Sequence, residues 1–89
     1  MMTKAEFIKG LRRLANDLKK SKEECSINRA SFSIYTTPNE SKLEIQQRWK
    51  TFDAVLDKVV RDGHGTTSWM TGTIPDSTIE VTLFKMDGG

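Results

Sequence analysis

The spacing of apolar residues changes along this chain, and that change most constrains what the chain can fold into. In the first quarter, apolar residues recur every three or four positions, at Phe7, Ile8, Leu11, Leu14, Ala15 and Leu18. This spacing places them on one stripe of an amphipathic helix. Thr3 and Glu6 have the spacing of a capping box, which satisfies two backbone amides at a helix start. A first helix is therefore predicted over residues 3–24.

Two later segments alternate apolar and polar residues, which is the period of a half-buried strand. The residues predicted to point inward are Ala30, Phe32 and Ile34 in the first segment, and Ile79, Val81 and Leu83 in the last. Pro75, Asp76 and Ser77 supply turn chemistry ahead of the last segment. Residues 66–74 and 78–86 are therefore predicted to form an antiparallel hairpin.

Between these segments the spacing becomes helical again. Thr37, Pro38 and Glu40 supply an N-cap, a first-turn proline and a capping-box glutamate. The apolar stripe that follows consists of Leu43, Ile45, Trp49, Phe52, Leu56, Val59 and Val60. Gly63 fits the left-handed position that ends a helix, so a second helix is predicted to run to about Asp62.

These elements predict a single α+β domain over residues 1–89, in the order helix, strand, helix, strand, strand. Two amphipathic helices packed on one face of a small three-stranded sheet would bury every apolar stripe. A chain of 89 residues buries only roughly 60–65% of its unfolded surface, so its core is thin. The sequence leaves open whether the first strand pairs parallel or antiparallel to the hairpin.

Cysteine usage and hydropathy restrict the class of protein. Cys25 is the only cysteine, which excludes an internal disulfide and a cysteine zinc cluster. A structural or incidental role is favoured for Cys25 over a reactive thiol. The chain shows no signal-peptide core and no apolar run near the ~18 residues of a membrane span. We therefore expect a cytoplasmic protein that uses no metal, no cofactor and no membrane.

Charge is distributed unevenly, although the net charge is only +2. Residues 1–24 carry seven Lys and Arg against four Asp and Glu, whereas residues 63–89 carry one against three. A basic ridge along the polar side of the first predicted helix consists of Lys9, Arg13 and Lys20. A solvated helix back is the favoured interpretation of this ridge, and a docking strip for an acidic partner is the alternative.

The segment Asp62–Gly72, DGHGTTSWMTG, holds the single histidine, His64, among glycines and hydroxyl residues. A phosphate loop needs its glycines before a helix, where free amides face the anion, but these glycines follow a predicted helix. Catalysis by His64 would need a nucleophile and an orienting group within hydrogen-bond reach, which proximity in sequence does not provide. The favoured interpretation is a helix stop that leads into a strand.

Tyr35, Trp69 and Phe84 are predicted to lie together on the sheet face that points away from the helices. Exposed apolar patches mark interaction sites in many proteins, and Trp and Tyr are enriched at protein interfaces. Stacking with the bases of a nucleic acid and coverage by another segment of the chain are the alternatives. Because Arg29 and Lys85 are the only cations near this face, a protein partner is favoured over a phosphate backbone.

We therefore predict a small non-enzymatic protein that binds another protein, or a second copy of itself, through the aromatic sheet face, with His64 at the rim. Inhibitors, adaptors and accessory proteins of mobile elements such as phages are of this size. The alternative is a nucleic-acid-binding module that combines the basic ridge with the aromatic residues. A third hypothesis is a small enzyme or ligand-binding protein with His64 in its loop. Gly88 and Gly89 are expected to form a disordered terminus rather than the tail of a ubiquitin-like carrier.

Overall fold

A computed structural model describes residues 2–86 as two helices and one four-stranded mixed sheet. The elements are α1 (Lys4–Lys20), β1 (Ala30–Ile34), α2 (Lys42–Val55), β2 (Asp57–His64), β3 (Thr67–Thr73) and β4 (Ile79–Met86). The strand order is β1-β4-β3-β2, with β1 parallel to β4 and the other neighbours antiparallel. The predicted α+β class is confirmed. The expectation for Gly88 and Gly89 concerns residues outside the described part.

The sheet has four strands rather than the predicted three, because the second helix ends before its apolar stripe does. Helix α2 stops at Val55, and Lys58 has a φ of 53°, a left-handed value that cannot continue a right-handed helix. The chain then runs as β2, which pairs with β3 at Asp57 and again from Val60 to His64, with an irregularity of the register between them. Gly63 consequently lies inside a strand, and its predicted role as a helix stop is wrong.

The glycine-rich segment forms a two-residue turn between β2 and β3. His64 pairs with Thr67, and Gly65 and Thr66 lie between them. Gly65 has a φ of 62°, and a glycine with positive φ at the first central position is the pattern of a type II′ hairpin turn. The predicted hairpin of β3 and β4 is confirmed, with Asp76 at a φ of 62° in the turn that joins them.

Helix α2 begins four residues later than predicted. The Ser41 hydroxyl accepts a hydrogen bond from the Glu44 N–H, and the Glu44 carboxylate accepts one from the Ser41 N–H. Glu40 instead closes a turn before the helix, since its carboxylate accepts from the Thr37 N–H at 2.7 Å and pairs with Arg48. The predicted pairing of Thr37 with Glu40 exists, but the capping box that starts the helix is the next one along the chain.

The core is small and lies on one face of the sheet. Its buried side chains are Leu56, Met70, Val81 and Leu83, with Ile34, Trp49, Phe52 and Val59 packed against them. The alternation predicted for β1 and β4 is confirmed by this set. Gly72 is buried where β3 passes the end of α2, and a Cβ atom there would lie 2.8 Å from the Cβ of Leu56. The backbones approach so closely at this point that only glycine fits without movement.

Helix α1 contacts the sheet near its N-terminus and then extends away from it. Phe7 packs edge-on against Phe32 of β1, with ring centroids 5.1 Å apart. The rest of the apolar stripe lies largely in solvent: Ile8, Leu11, Leu14 and Leu18 are 41–54% exposed. The Cα radius of gyration is 15.2 Å, whereas a compact chain of this length measures about 12 Å. The prediction that both helices bury their stripes on the sheet is therefore wrong for α1.

Candidate functional site

The sheet face opposite the core, called the open face below, brings the three predicted aromatic residues together. Trp69 of β3 and Phe84 of β4 are direct cross-strand partners, and Tyr35 follows the last residue of β1. The rings of Tyr35 and Phe84 are stacked, with centroids 4.8 Å apart and 7° between their planes. The ring of Trp69 lies 6.2 Å from that of Phe84, tilted by 46°. These three rings form one continuous aromatic row.

Strand register extends the aromatic row across the sheet and places a second row beside it. Trp69 pairs with Asp62, so the first row reads Tyr35, Phe84, Trp69, Asp62 from β1 to β2. The neighbouring row reads Ser33, Thr82, Thr71, Val60. The hydroxyl oxygens of Thr71 and Thr82 are 3.0 Å apart and share a hydrogen bond. Since each hydroxyl already has a partner, covering this row costs less free energy than covering unpaired hydroxyls.

The open face is apolar and accessible at several points. Tyr35 is 50% exposed and Val60 is 65% exposed, while Trp69 and Phe84 are half-buried against their neighbours. Val60 is the open-face residue that sequence reasoning missed, because it was assigned to the core stripe of the second helix. The adjacent β-branched pair at positions 59–60 is the signal that could have indicated a strand.

His64 lies on the open face, one row beyond the aromatic row. It pairs with Thr67, which pairs in turn with Met86, and the Thr67 hydroxyl donates to the Met86 sulfur at 3.4 Å. The imidazole is exposed at the end of the hairpin. Asp62, two residues earlier on the same strand, accepts a hydrogen bond from the Gly63 N–H at 2.8 Å, so its carboxylate is engaged by the backbone. His64 therefore occupies the rim of the face.

The basic ridge does not join the aromatic row. It consists of the exposed residues Lys9, Arg13 and Lys20 on α1. Phe7 of α1 packs on Phe32, and Phe32 pairs with the buried Val81, so α1 approaches the sheet from the core side. The ridge lies on the side of α1 away from the sheet. The structure thus separates two surfaces that a single nucleic-acid-binding site would need to combine.

A shallow groove lined by residues of α2, β2, β3 and β4, Asp62 and Trp69 of the aromatic row included, was not foreseen from the sequence. Trp49, Arg61, Ser68 and Lys85 are among the residues that line it. The Lys85 ammonium lies 4.3 Å from the centroid of the Trp49 ring, within the range of a cation–π interaction. Arg61 pairs with Asp53 at 2.9 Å. Both contacts join α2 to the sheet, the Arg61–Asp53 pair at an exposed position where it adds little stability.

Three further features of the described part of the chain bear on function. Within residues 2–86, no group of three or more His, Cys, Asp and Glu side chains is placed to hold a metal ion. Cys25 is an exposed free thiol between α1 and β1. Over the same residues, neither helix has the length and apolar character needed to cross a membrane.

Function has to be inferred from these surfaces themselves. Comparison with protein-family models, with curated proteins and with solved structures finds no match for this chain.

Proposed function

We propose that this chain is a small non-enzymatic protein that binds another protein through the open face of its sheet. The observation that carries the proposal is the aromatic row, in which Tyr35, Phe84 and Trp69 contact one another on a face that neither helix covers. Tyrosine and tryptophan bury a large, rigid area at a low cost in side-chain entropy, which is why they dominate many protein interfaces.

Charge around the aromatic row favours a protein partner over a nucleic acid. Asp62 lies at the end of the row, and Glu80 lies on the same face in a 3.2 Å pair with Arg29. A single-strand binder surrounds its stacking rings with cations that track the phosphates. Here Asp62 ends the row and Glu80 is neutralised by Arg29, so these positions offer a phosphate backbone no excess of positive charge.

The same charges define the surface that would fit the open face. Its apolar rings and paired threonine hydroxyls suit a flat, apolar partner surface. Asp62 at the periphery suits a lysine or arginine side chain beside that surface, because opposite charges at a rim speed association and fix orientation. Glu80 already pairs with Arg29. An inhibitor, an adaptor or an accessory protein of a mobile element that docks on a basic-rimmed apolar patch is the class of binder that we infer.

The test is affinity capture from a lysate of the native host, with three versions of the chain as bait. One is the natural chain, one is Tyr35→Ser/Val60→Ser, and the matched control is Ile74→Ser. Ile74 is also an exposed apolar residue, at 40%, but it lies in the turn between β3 and β4. We expect one protein to co-purify with the natural chain and the control and to be lost with the double variant. With that protein purified, titration should give binding at least about tenfold weaker for the double variant.

Two outcomes would contradict this proposal. Equal recovery of the protein by all three baits would show that the open face is not the contact surface. A bound species that nuclease removes, and whose affinity falls steeply as salt is raised, would favour the nucleic-acid alternative. Circular dichroism and the urea midpoint of each variant establish that the fold is retained.

A further inference from the structure

Helix α1 carries a second uncovered apolar surface, which is independent of the open face. This surface, called the α1 stripe below, consists of Ile8, Leu11, Leu14 and Leu18. Leu11, Leu14 and Leu18 are three and four residues apart, the spacing of the seam in a two-helix coiled coil. The stripe continues beyond the point where Phe7 meets Phe32, so the chain's own sheet does not cover it.

The chain exposes far more surface than a folded monomer of its mass. Its accessible surface is 7615 Å². Folded monomers of 10.1 kDa expose about 5300 Å², according to the size scaling of globular proteins. The difference is about 2300 Å², well above the ~800 Å² that each partner buries in a stable protein interface. The excess is a total for the whole chain, to which the α1 stripe and the exposed irregular segments both contribute, and it exceeds what one such interface buries.

We propose that the α1 stripe packs against the α1 stripe of a second copy, so that the chain forms a homodimer. Helices in proteins gain most of their stability from packing of their apolar side, and most of the apolar side of this 17-residue helix is exposed. The fold needs this contribution, because only four apolar side chains of the described residues are buried in its own core. A second copy is the one partner that is present whenever the chain is made.

The shape beside the α1 stripe suits a partner helix. Gly10 lies next to the stripe, and apart from its own helix backbone no atom lies within 4 Å of the position where a Cβ would stand. Around it is an open recess of about 380 Å³, lined mainly by apolar residues that include Phe7, Leu11, Leu14 and Phe32. A leucine that projects from a neighbouring stripe would fill part of this recess, as a knob fills a hole between packed helices.

The basic ridge of α1 does not oppose such a pair, although Lys4 lies on the side of the stripe and Arg12 and Lys19 flank it. The helix carries a net charge of +4, from Lys4, Lys9, Arg12, Arg13, Lys19 and Lys20 against Glu6 and Asp17. The basic ridge lies on the side opposite the stripe, so it would face outward on both helices. Packed helix axes are 8–10 Å apart, which places the two ridges about 20 Å from each other. This exceeds the screening length of ~8 Å at physiological salt, so their repulsion is weak.

The experiment is a mass measurement in solution by sedimentation equilibrium at micromolar concentrations. Three proteins are compared. They are the natural chain, Leu14→Lys/Leu18→Lys in the stripe, and Asn16→Lys as a control on the polar side of the same helix. We expect the natural chain and the control to have twice the mass of 10.1 kDa. The double variant should have the monomer mass, because each dimer would otherwise bury four ammonium groups in its seam.

A milder variant, Leu18→Ser, keeps the test valid if the double variant does not fold. It should raise the dimer dissociation constant at least about tenfold. Near-ultraviolet circular dichroism of the two tryptophans reports whether the sheet stays folded. Retention of the dimer by both stripe variants would overturn the proposal. The proposal would also be overturned if Tyr35→Ser/Val60→Ser were the only variant to lose the dimer, because self-association would then be assigned to the open face. A natural chain that is monomeric in buffer and binds phosphatidylglycerol vesicles would assign the stripe to a lipid surface instead.

Discussion

The two faces of the sheet are built from the same strands, yet they have different surroundings. Leu83 and Phe84 are neighbours in β4: Leu83 is 1% exposed in the core, whereas Phe84 lies half-buried in the aromatic row. On the core face, Trp49 and Phe52 of α2 pack over the strands. On the open face, the rings stack on one another instead of under a helix.

This difference teaches that strand alternation and burial have separate causes. Alternation decides which side chains share a face, and it follows from the backbone alone. Burial depends on whether a helix covers that face, which is a tertiary property. The core face therefore contributes most of the stability, while the open face keeps apolar area available for a partner. Substitutions on the two faces should separate these contributions.

Leu83→Ala should have the largest effect on stability. It removes a fully buried side chain and leaves a cavity beside Met70 and Val81, so it should lower the free energy of unfolding by about 2–5 kcal/mol. Urea unfolding followed by tryptophan fluorescence measures the loss. The slope of the unfolding free energy against urea concentration should be the same for the variant and the natural chain, which is the control for two-state behaviour. A loss below about 1 kcal/mol would mean that this face is not the core.

Gly72→Ala should have the second-largest effect on stability. The added Cβ would stand 2.8 Å from the Leu56 Cβ and 3.1 Å from the Asp57 carbonyl oxygen, so β3 and the junction of α2 with β2 must move apart. Overpacking of this kind costs about 1–3 kcal/mol, measured by the same urea titration. Asn16→Ala is the control, because it also introduces alanine but lies on the exposed polar side of α1. A loss for Gly72→Ala no larger than that for Asn16→Ala would contradict the close approach of β3 to Leu56 and Asp57.

Phe84→Ala should cost less than Leu83→Ala, although phenylalanine is the larger residue. The ring is half-exposed, so the loss comes from its contacts with Tyr35 and Trp69, at about 0.5–1.5 kcal/mol for each aromatic pair. Binding of the captured partner should be abolished at the same time. If Phe84→Ala proved more costly to folding than Leu83→Ala, the open face would be covered by the chain itself, and the docking proposal would fail.

Local signals in the sequence predicted much of the difference between the two faces of the sheet. The alternation of β1 and β4 identifies which residues share a face, and the turn at Pro75–Ser77 identifies the hairpin. The composition of the aromatic row, Tyr35 with Trp69 and Phe84, follows from the same period of two. These features depend on residues close in sequence, so they need no knowledge of tertiary packing.

The parts that were missed depend on distant contacts. Leu56, Val59 and Val60 fit a helical stripe, whereas the strand that begins at Asp57 depends on pairing with β3, which supplies an edge for β2. Two capping boxes stand four residues apart, at Thr37 and at Ser41, and the sequence does not decide which one starts α2. The stripe of α1 predicts burial, but it does not say whether the covering surface belongs to the same chain or to a partner.

Thr82→Val should have the smallest effect on folding. Valine has nearly the shape of threonine, and the Thr71 hydroxyl that loses its partner is only half-buried, so water replaces the lost bond. The free energy of unfolding should change by less than about 1 kcal/mol in the urea titration.

Binding should respond to the same change more strongly than folding does. If a partner covers the open face, the unpaired Thr71 hydroxyl loses its water as well, at a cost of about 1–3 kcal/mol. Thr82→Val should therefore weaken the complex at least about fivefold, while Thr71→Val/Thr82→Val, which removes both hydroxyls, should restore most of the affinity. If the partner binds the natural chain and Thr82→Val with equal affinity, water still reaches the row that contains Thr71 and Thr82 in the complex. The interface would then be confined to the aromatic row.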